Sequence, residues 1–321
     1  MKIKLILVLM ASLVVMILGG CSNSAQKATA DTLTKKVTTT ADTFTKNVAA
    51  TANTDIEKAE SSVSEKKSSK ALPSSDIFYS EQISDNTIRI HGKSNELMYL
   101  VEGTEKAVLI DTGYGVGNLR EYVEKITSKP ITVLLTHAHL DHTSGASDFN
   151  EVYINHKDDP IYKGKAKISN FKDLKPGDVF DLGGTTLEIY SAAGHTPGQI
   201  AILFKEARIL LLGDAANNFT FLFTKGSFGI DDYEKSMKDL LAKTESYFDK
   251  VYLLHGAGDA PKETLTDVIQ VCEDIKVGKV DDVPYEYMGQ HALIAKKINE
   301  SFNRIDGGFG NIVYTKDKIS Q

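Results

Sequence analysis

Beyond residue 75 the chain alternates short apolar runs with polar turns. Runs that are continuously apolar, or apolar at every second position, predict buried or half-buried β-strands. Apolar residues spaced three or four apart predict helices at Leu119–Ile126 and Tyr233–Phe248. We expect strands at Thr87–His91, Leu97–Val101, Ala107–Ile110, Ile131–Leu135, Val152–Ile154, Thr186–Tyr190, Ile200–Phe204, Ile209–Leu212 and Val251–Leu254. Strands interleaved with helices predict a layered α/β domain over residues 76–321.

The first twenty residues have a different character. Lys2 and Lys4 precede an apolar run from Leu5 to Leu18, which ends at two glycines and Cys21. A basic start and a short apolar core are typical of a secretory signal. The alternative, an uncleaved membrane-spanning helix, is disfavoured because such a helix needs about 20 residues.

The residues before Cys21 also resemble the lipobox of bacterial lipoproteins. This resemblance implies cleavage after residue 20 and acylation of Cys21, with palmitate among the acyl chains. Several acyl chains give stable attachment to a membrane. We therefore expect an extracytoplasmic protein that a lipid anchors to the bacterial cell membrane.

Residues 21–75 are rich in Thr, Ser, Ala and Lys. A short repeat, residues 30–40 and 41–51, would place a few apolar residues on one stripe of a slightly underwound helix. Threonine has a poor helix propensity, so we favour a flexible tether between membrane and domain. Cys272 is the only other cysteine, and its place in the helix-like stretch Thr264–Glu273 predicts a core residue.

The net charge of −6 is unevenly distributed along the chain. Residues 1–20 and 22–75 each carry +2, which leaves −10 for residues 76–321. A basic tether suits a surface of anionic lipid headgroups. An acidic domain argues against nucleic acid as a partner, because binding to a polyanion depends on basic side chains.

Metal-binding side chains are concentrated directly after the buried strand Ile131–Leu135. Imidazole suits zinc, iron and similar metals, and carboxylate complements it as a harder ligand. The alternative, a run of surface histidines, does not explain why the cluster follows a buried strand. Three further donors also lie in turns at strand ends, where they can converge at one sheet edge. The seven residues are His137, His139, Asp141, His142, His195, Asp214 and His255.

These residues resemble the motifs of the metallo-β-lactamase superfamily, including its H-x-H-x-D-H sequence at residues 137–142. The resemblance implies a four-layered αββα sandwich with two metal ions at one edge. One ion would take His137, His139 and His195, and the other Asp141, His142 and His255, with Asp214 as the bridge. Asp111 matches a position that supports the site from behind the ligands. Zinc is the expected metal, with manganese and iron as alternatives.

The same resemblance implies hydrolysis by a metal-bound hydroxide, which Asp141 orients and whose proton it can shuttle. Asp at the bridging position is typical of thioesterases of the glyoxalase II kind, lactonases and phosphodiesterases rather than of β-lactam-cleaving members. We expect a small-molecule ester, thioester, lactone or lactam as substrate. A surface phosphodiesterase and a non-catalytic metal-binding surface lipoprotein are the alternatives. The pattern carries no information on the oligomeric state.

Specificity in such a fold is expected in loops around the metal edge. Three segments are candidates: Tyr114–Asn118, Asn217–Phe228 and Tyr285–His291. Phe219, Phe221 and Phe223 could form an apolar wall or a strand that packs on the core. The remaining histidines, His91, His156 and His291, are expected to be structural or at the surface. His291, in a helix-like tail, is the one that could approach the site.

Overall fold

A computed structural model describes residues 72–319. The predicted signal, Cys21 and most of the predicted tether lie outside the described residues. The strands are β1 Tyr79–Ser84, β2 Thr87–His91, β3 Leu97–Glu102, β4 Ala107–Ile110, β5 Ile131–Leu134, β6 Val152–Ile154, β7 Lys172–Asp173, β8 Val179–Asp181, β9 Thr186–Ser191, β10 Ile200–Phe204, β11 Ile209–Leu211, β12 Thr220–Phe221, β13 Lys250–Tyr252, β14 Asp259–Ala260, β15 Val283–Tyr287, β16 Gln290–Ile294 and β17 Ile312–Tyr314. The α-helices are α1 Leu119–Ile126, α2 Leu140–Thr143, α3 Ile230–Thr244 and α4 Thr264–Lys276.

Two large sheets pack face to face and carry helices on their outer faces. The first holds β1 to β7 in chain order, and the second has the order β14-β13-β11-β10-β9-β8. Between them lies a core to which both sheets contribute, for example Tyr99 and Ile110 from the first and Ile202 and Leu211 from the second. Side chains of α1 pack on the outer face of the first sheet, and those of α3 and α4 on the outer face of the second. This is the expected αββα sandwich.

The helices form where the sequence supplies a buried stripe and a cap. In α1 the Asn118 side chain accepts a hydrogen bond from the Glu121 amide, and Leu119, Tyr122 and Val123 are buried. In α3 the spacing of buried residues from Tyr233 to Thr244 follows the helical period. Cys272 lies buried in α4, as predicted. Within residues 72–319 no helix is both long and apolar enough to cross a membrane.

A third sheet, with the order β12-β17-β16-β15, is the main departure from expectation. The segment Tyr285–His291, expected as a loop, forms most of a hairpin between β15 and β16. The prediction of a helix-like tail around His291 is wrong, because this residue lies on β16 and is exposed. Asn217–Phe228, also expected as a loop, contains the short strand β12. His91 ends β2 and His156 begins a 3-10 turn, in keeping with structural or surface roles.

Candidate metal centre

The predicted donors lie where strands of the two large sheets end. β5 leads into the turn with His137 and His139, and Asp141 and His142 lie in the short helix α2 that follows. The other three follow or connect strands of the second sheet: His195 between β9 and β10, Asp214 after β11, and His255 after β13. Parallel pairing of β4 with β5 and of β11 with β13 brings equivalent strand ends to one edge.

The seven donors form two adjacent groups. His137, His139 and His195 make the first group, and Asp141, His142, Asp214 and His255 make the second; within each group the ligand atoms lie within 4.8 Å of one another. In the first, His139 Nδ1 lies 3.1 Å from His137 Nε2 and 2.9 Å from His195 Nε2. In the second, the Nε2 atoms of His142 and His255 are 3.2 Å apart. The structure thus brings all seven predicted residues together.

Hydrogen bonds behind the rings orient them toward the centre. Asp111 accepts bonds from the Thr136 amide and hydroxyl, both at 2.7 Å, and its Oδ2 lies 2.6 Å from His142 Nδ1. Thr136 Oγ1 lies 3.1 Å from His137 Nδ1, and His195 Nδ1 donates to the Phe221 carbonyl at 2.8 Å. Bonds at Nδ1 leave the lone pair of Nε2 directed into the centre, which is the arrangement of metal-binding imidazoles.

The donor set fits a cation. Imidazole nitrogens that face one another at about 3 Å cannot all satisfy each other by hydrogen bonding, since each neutral ring has one donor and one acceptor. Asp214 Oδ1 is buried and has no hydrogen-bond partner among residues 72–319. An unsatisfied buried carboxylate oxygen is costly unless a cation or donor meets it. Divalent metal ions would satisfy both features.

The pKa shifts of the donor residues also favour bound cations. Burial, and then the neighbouring imidazoles, lower the pKa of His139 to about 3 and that of His137 well below its ordinary value. Burial opposes protonation of His255, but Asp214 and Asp141 outweigh it and raise its pKa to about 10. The carboxylates thus favour positive charge beside them. Protonated histidine can supply this charge, and bound cations would supply it in its place.

The family model of the metallo-beta-lactamase superfamily matches residues 91–251. The chain belongs to this superfamily. Among solved structures, a metallo-beta-lactamase from Pontibacter korlensis has 18% sequence identity and a TM-score of 0.52, over 61% of this chain and 99% of that one. An inverting sec-alkylsulfatase from Pseudomonas sp. has 15% identity and the same TM-score, 0.52, over 63% of this chain and 42% of that one. At such identities these likenesses show the fold alone.

Curated relatives cover shorter parts of the chain. An acyl-coenzyme A thioesterase of Homo sapiens is 25% identical over 188 residues, which is 45% of this chain and 66% of the relative. An atrochrysone carboxyl ACP thioesterase of Aspergillus chevalieri is 29% identical over 40% of this chain and 44% of the relative. Lactamase-like protein ptaB of Pestalotiopsis fici is 31% identical over 42% and 46%. The chain therefore spans about half to two thirds of the length of these relatives.

Asp158 is a buried carboxylate of the centre that the sequence analysis did not identify. Its Oδ2 accepts bonds from the Ala138 amide at 2.9 Å and the Thr196 hydroxyl at 2.8 Å, and its Oδ1 from the Gly198 amide. A Cβ on Gly198 would lie 2.7 Å from the Asp158 carboxyl carbon, so glycine permits this approach. Burial raises the pKa of Asp158, although the three donors offset part of this effect. In this member of the superfamily one carboxylate thus joins the two segments that carry the first group of histidines.

Arg89 plays a comparable part at the second group. It is buried beside the stacked rings of Tyr99 and Tyr252, with its guanidinium carbon 5.5 and 5.3 Å from their centroids. Its Nη1 donates to the Ala257 carbonyl at 3.1 Å, within the turn that begins at His255. Its Nη2 also forms a 3.0 Å ion pair with Asp259 beyond that turn. Arg89 therefore holds the turn from which His255 projects.

Proposed function

We propose that the chain is a metal-dependent hydrolase that cleaves acyl thioesters with two divalent ions bound side by side. The observation that carries the proposal is the position of Asp214. Its Oδ2 lies 3.5 Å from Nε2 of both His142 and His255 and 3.8 Å from Nε2 of His195, so one carboxylate reaches both groups of donors. Paired ions that share a ligand are typical of hydrolytic two-metal sites.

Two divalent ions would be held by these side chains, the first by His137, His139 and His195 and the second by Asp141, His142 and His255. Asp214 would contribute to both, and its Oδ1, which has no hydrogen-bond partner among residues 72–319, is available as a ligand atom. A set of five imidazoles and two carboxylates favours zinc, while manganese and iron also accept these ligands. Bound ions of this kind lower the pKa of water and polarise a substrate carbonyl oxygen.

The residues of the chain contribute access and orientation. The side chains of His137 and His142 are buried, whereas those of Asp141 and His255 are 23% and 31% exposed. The substrate can therefore reach the centre past Asp141 and His255. Asp141 Oδ2 lies 3.4 Å from His255 Nε2 and faces this opening, so it can accept a hydrogen bond from the attacking water and orient it toward the carbonyl carbon.

Hydrolysis adds the hydroxyl of water to the carbonyl carbon and breaks the carbon–sulfur bond. The proton released from water accompanies the departing thiolate, and the solvent-exposed edge of Asp141 offers a route for it. The thioester class is supported by the two relatives named as thioesterases, on coenzyme A and on an acyl carrier protein.

Metal content and turnover of the purified full chain test this proposal together. We expect two ions per chain after incubation with zinc, and thioester hydrolysis that stops on chelation and returns when metal is restored. Asp214→Asn should bind less than two ions, whereas Asp249→Asn, an exposed carboxylate paired with Arg208, should not differ from the parent. Chelator-resistant turnover would refute the metal role. Preference for a bis-aryl phosphate over thioesters would refute the substrate class, and metal binding without any turnover would support a non-catalytic lipoprotein.

We also propose that Cys21 is acylated and that residues 21–75 tether the domain outside the bacterial cytoplasmic membrane. The sequence around Leu18–Cys21 and the charge of residues 22–75 support this. In a bacterial host, an alkyne analogue of palmitate should label the parent chain in the membrane fraction but not the Cys21→Ser variant. Equal labelling of the two chains, or a labelled chain in the cytoplasm, would refute the anchor.

A further inference from the structure

The third sheet, β12-β17-β16-β15, has two faces of different environment. One face packs on the domain core: Leu222, Ile312 and Tyr314 have no exposed surface and lie in the cluster that includes side chains of α3 and α4. The other face carries a set of aromatic rings. We call these rings the aromatic face: Phe219, Phe221, Phe223, Tyr285 and Tyr287.

Strand register explains why these rings lie together. Phe221 pairs with Val313, Val313 with Ile294, and Ala292 with Tyr285, so their side chains project from the same side of the sheet. The ring centroid of Phe221 lies 5.0 Å from that of Phe223 and 5.2 Å from that of Tyr287, although β12 and β15 are the two edges of the sheet. Rings from both edges of the sheet therefore meet on this face.

The aromatic face is covered mainly by its own rings. The apolar cluster that contains four of its rings holds, within residues 72–319, residues of this sheet, Phe219 and Phe223 on either side of β12, and Ile298 in the loop after β16. Tyr287 is 40% exposed, and Phe302, whose ring centroid lies 5.8 Å from that of Phe219, is 56% exposed. A contiguous apolar surface of this kind on a globular domain is typical of a ligand or partner site.

The aromatic face begins at the metal centre. The Phe221 carbonyl accepts the hydrogen bond from His195, so the backbone of β12 contacts a predicted metal ligand directly. The aromatic face therefore starts directly beside a predicted metal ligand, where a molecule held at the centre can reach its rings.

We propose that the aromatic face binds the hydrocarbon part of an acyl thioester while its carbonyl lies at the metal centre. This inference rests on the proposed function. Aromatic rings offer a large apolar surface with no requirement for charge on the ligand. The ring centroids of Phe223, Phe221, Phe219 and Phe302 follow one another at 5.0, 5.9 and 5.8 Å. This row of rings thus offers an apolar surface along which an extended acyl chain can lie.

Chain-length dependence tests the inference. With coenzyme A thioesters from acetyl to dodecanoyl, kcat/KM should rise about twofold per methylene. This factor corresponds to half of the free energy gained when a methylene is buried completely. Tyr287→Ala, at an exposed ring, should flatten this rise, with a loss of kcat/KM that grows with the length of the acyl chain. Tyr247→Ala is the matched control, since that tyrosine is 51% exposed and lies just beyond the C-terminal end of α3. A parent chain with no length dependence, or a Tyr287→Ala variant that retains it, would overturn the proposal.

A binding measurement separates this inference from the proposed function. In calorimetric titration the parent chain should bind dodecanoate, and Tyr287→Ala should weaken binding about tenfold without change to zinc content. Such binding in a chain that hydrolyses no thioester would refute the proposed function and retain the aromatic face as a hydrocarbon site. A parent chain that dimerises in sedimentation, with dissociation by Tyr287→Ala and no dodecanoate binding, would assign the face to a second copy and overturn the proposal.

Discussion

Replacement of Asp158 by Asn tests how the first group of histidines is held. The carboxylate accepts three hydrogen bonds from residues next to His137, His139 and His195. The amide has nearly the same shape but only one acceptor oxygen. If that oxygen faces the Gly198 amide, the NH₂ group meets the Ala138 amide, and two donors face each other; the flipped amide creates the same conflict at Gly198.

The magnitude follows from the donor that loses its acceptor. A buried N–H without a partner costs about 1–3 kcal/mol, and a bond to a charged group is worth about 1.5–3 kcal/mol. Removal of the buried charge offsets part of this loss, because burial raises the pKa of Asp158 and so disfavours its ionised form. We expect a net loss of about 2 kcal/mol of stability, or about 4–8 °C in melting temperature for a domain of this size. Supporting residues of metal sites typically change affinity by about 10–100-fold.

A competition titration against a chromophoric zinc chelator would resolve the two binding constants. Asp158→Asn should weaken the ion at His137, His139 and His195 more than the other ion. Asp159→Asn is the matched control, because that neighbouring carboxylate is exposed and pairs with His156 in the same turn. If the Asp158→Asn variant bound both ions as tightly as the parent and melted at the same temperature, the carboxylate would not be what holds the two segments together.

Two further changes probe other parts of the structure. Arg89→Lys should cost about 2 kcal/mol of stability, since lysine cannot both lie over the two tyrosine rings and reach the Ala257 carbonyl. It should also weaken the ion at His255 in the same titration, whereas Arg120→Lys, at an exposed arginine, should do neither. Asp274→Asn tests pH dependence: burial would raise the pKa of Asp274, but its ion pair with Lys296 outweighs burial and lowers it below 3.8. The pair should therefore stabilise the chain by about 1 kcal/mol near pH 7, an effect lost as pH falls through the lowered pKa. Urea unfolding of metal-free protein should show parent and variant converging as the pH falls below the ordinary aspartate pKa, and a difference that stays constant through this acid range would contradict this reasoning.

The donors of the centre could be predicted because their signal is local. His137, His139, Asp141 and His142 lie within six positions directly after a buried strand, and strand ends of paired parallel strands meet by geometry. The αββα layers were equally accessible, since long apolar strands such as Ile200–Phe204 are buried on both faces. In both cases the spacing of residues along the chain determines which of them lie together in the fold.

The supporting residues could not be predicted because their partners are distant in sequence. Asp158 bonds to residues 20 to 40 positions away, and Arg89 to a carbonyl 168 positions away. Asp158 lies in a polar turn, and the sequence pattern of this turn does not differ from that of a turn exposed to solvent. The third sheet was not predicted for another reason: β15 contains Pro284 and Glu286, and β17 has only three residues. Short strands with interrupted alternation carry little periodic signal.

This third sheet nevertheless completes the centre. The family match ends at residue 251, before β15, β16 and β17. Six of the seven donors lie within the matched residues, and His255 follows them. Yet β17 is the partner of β12, through pairs such as Phe221 with Val313, and the Phe221 carbonyl orients His195. A ligand within the shared part of the fold thus depends on backbone supplied by the C-terminal part of this chain. Substitutions that loosen β17, such as Val313→Gly, should therefore weaken zinc binding in the chelator titration, even though no residue of β17 is a donor; unchanged affinity in a folded variant would show that His195 is held by its own turn alone.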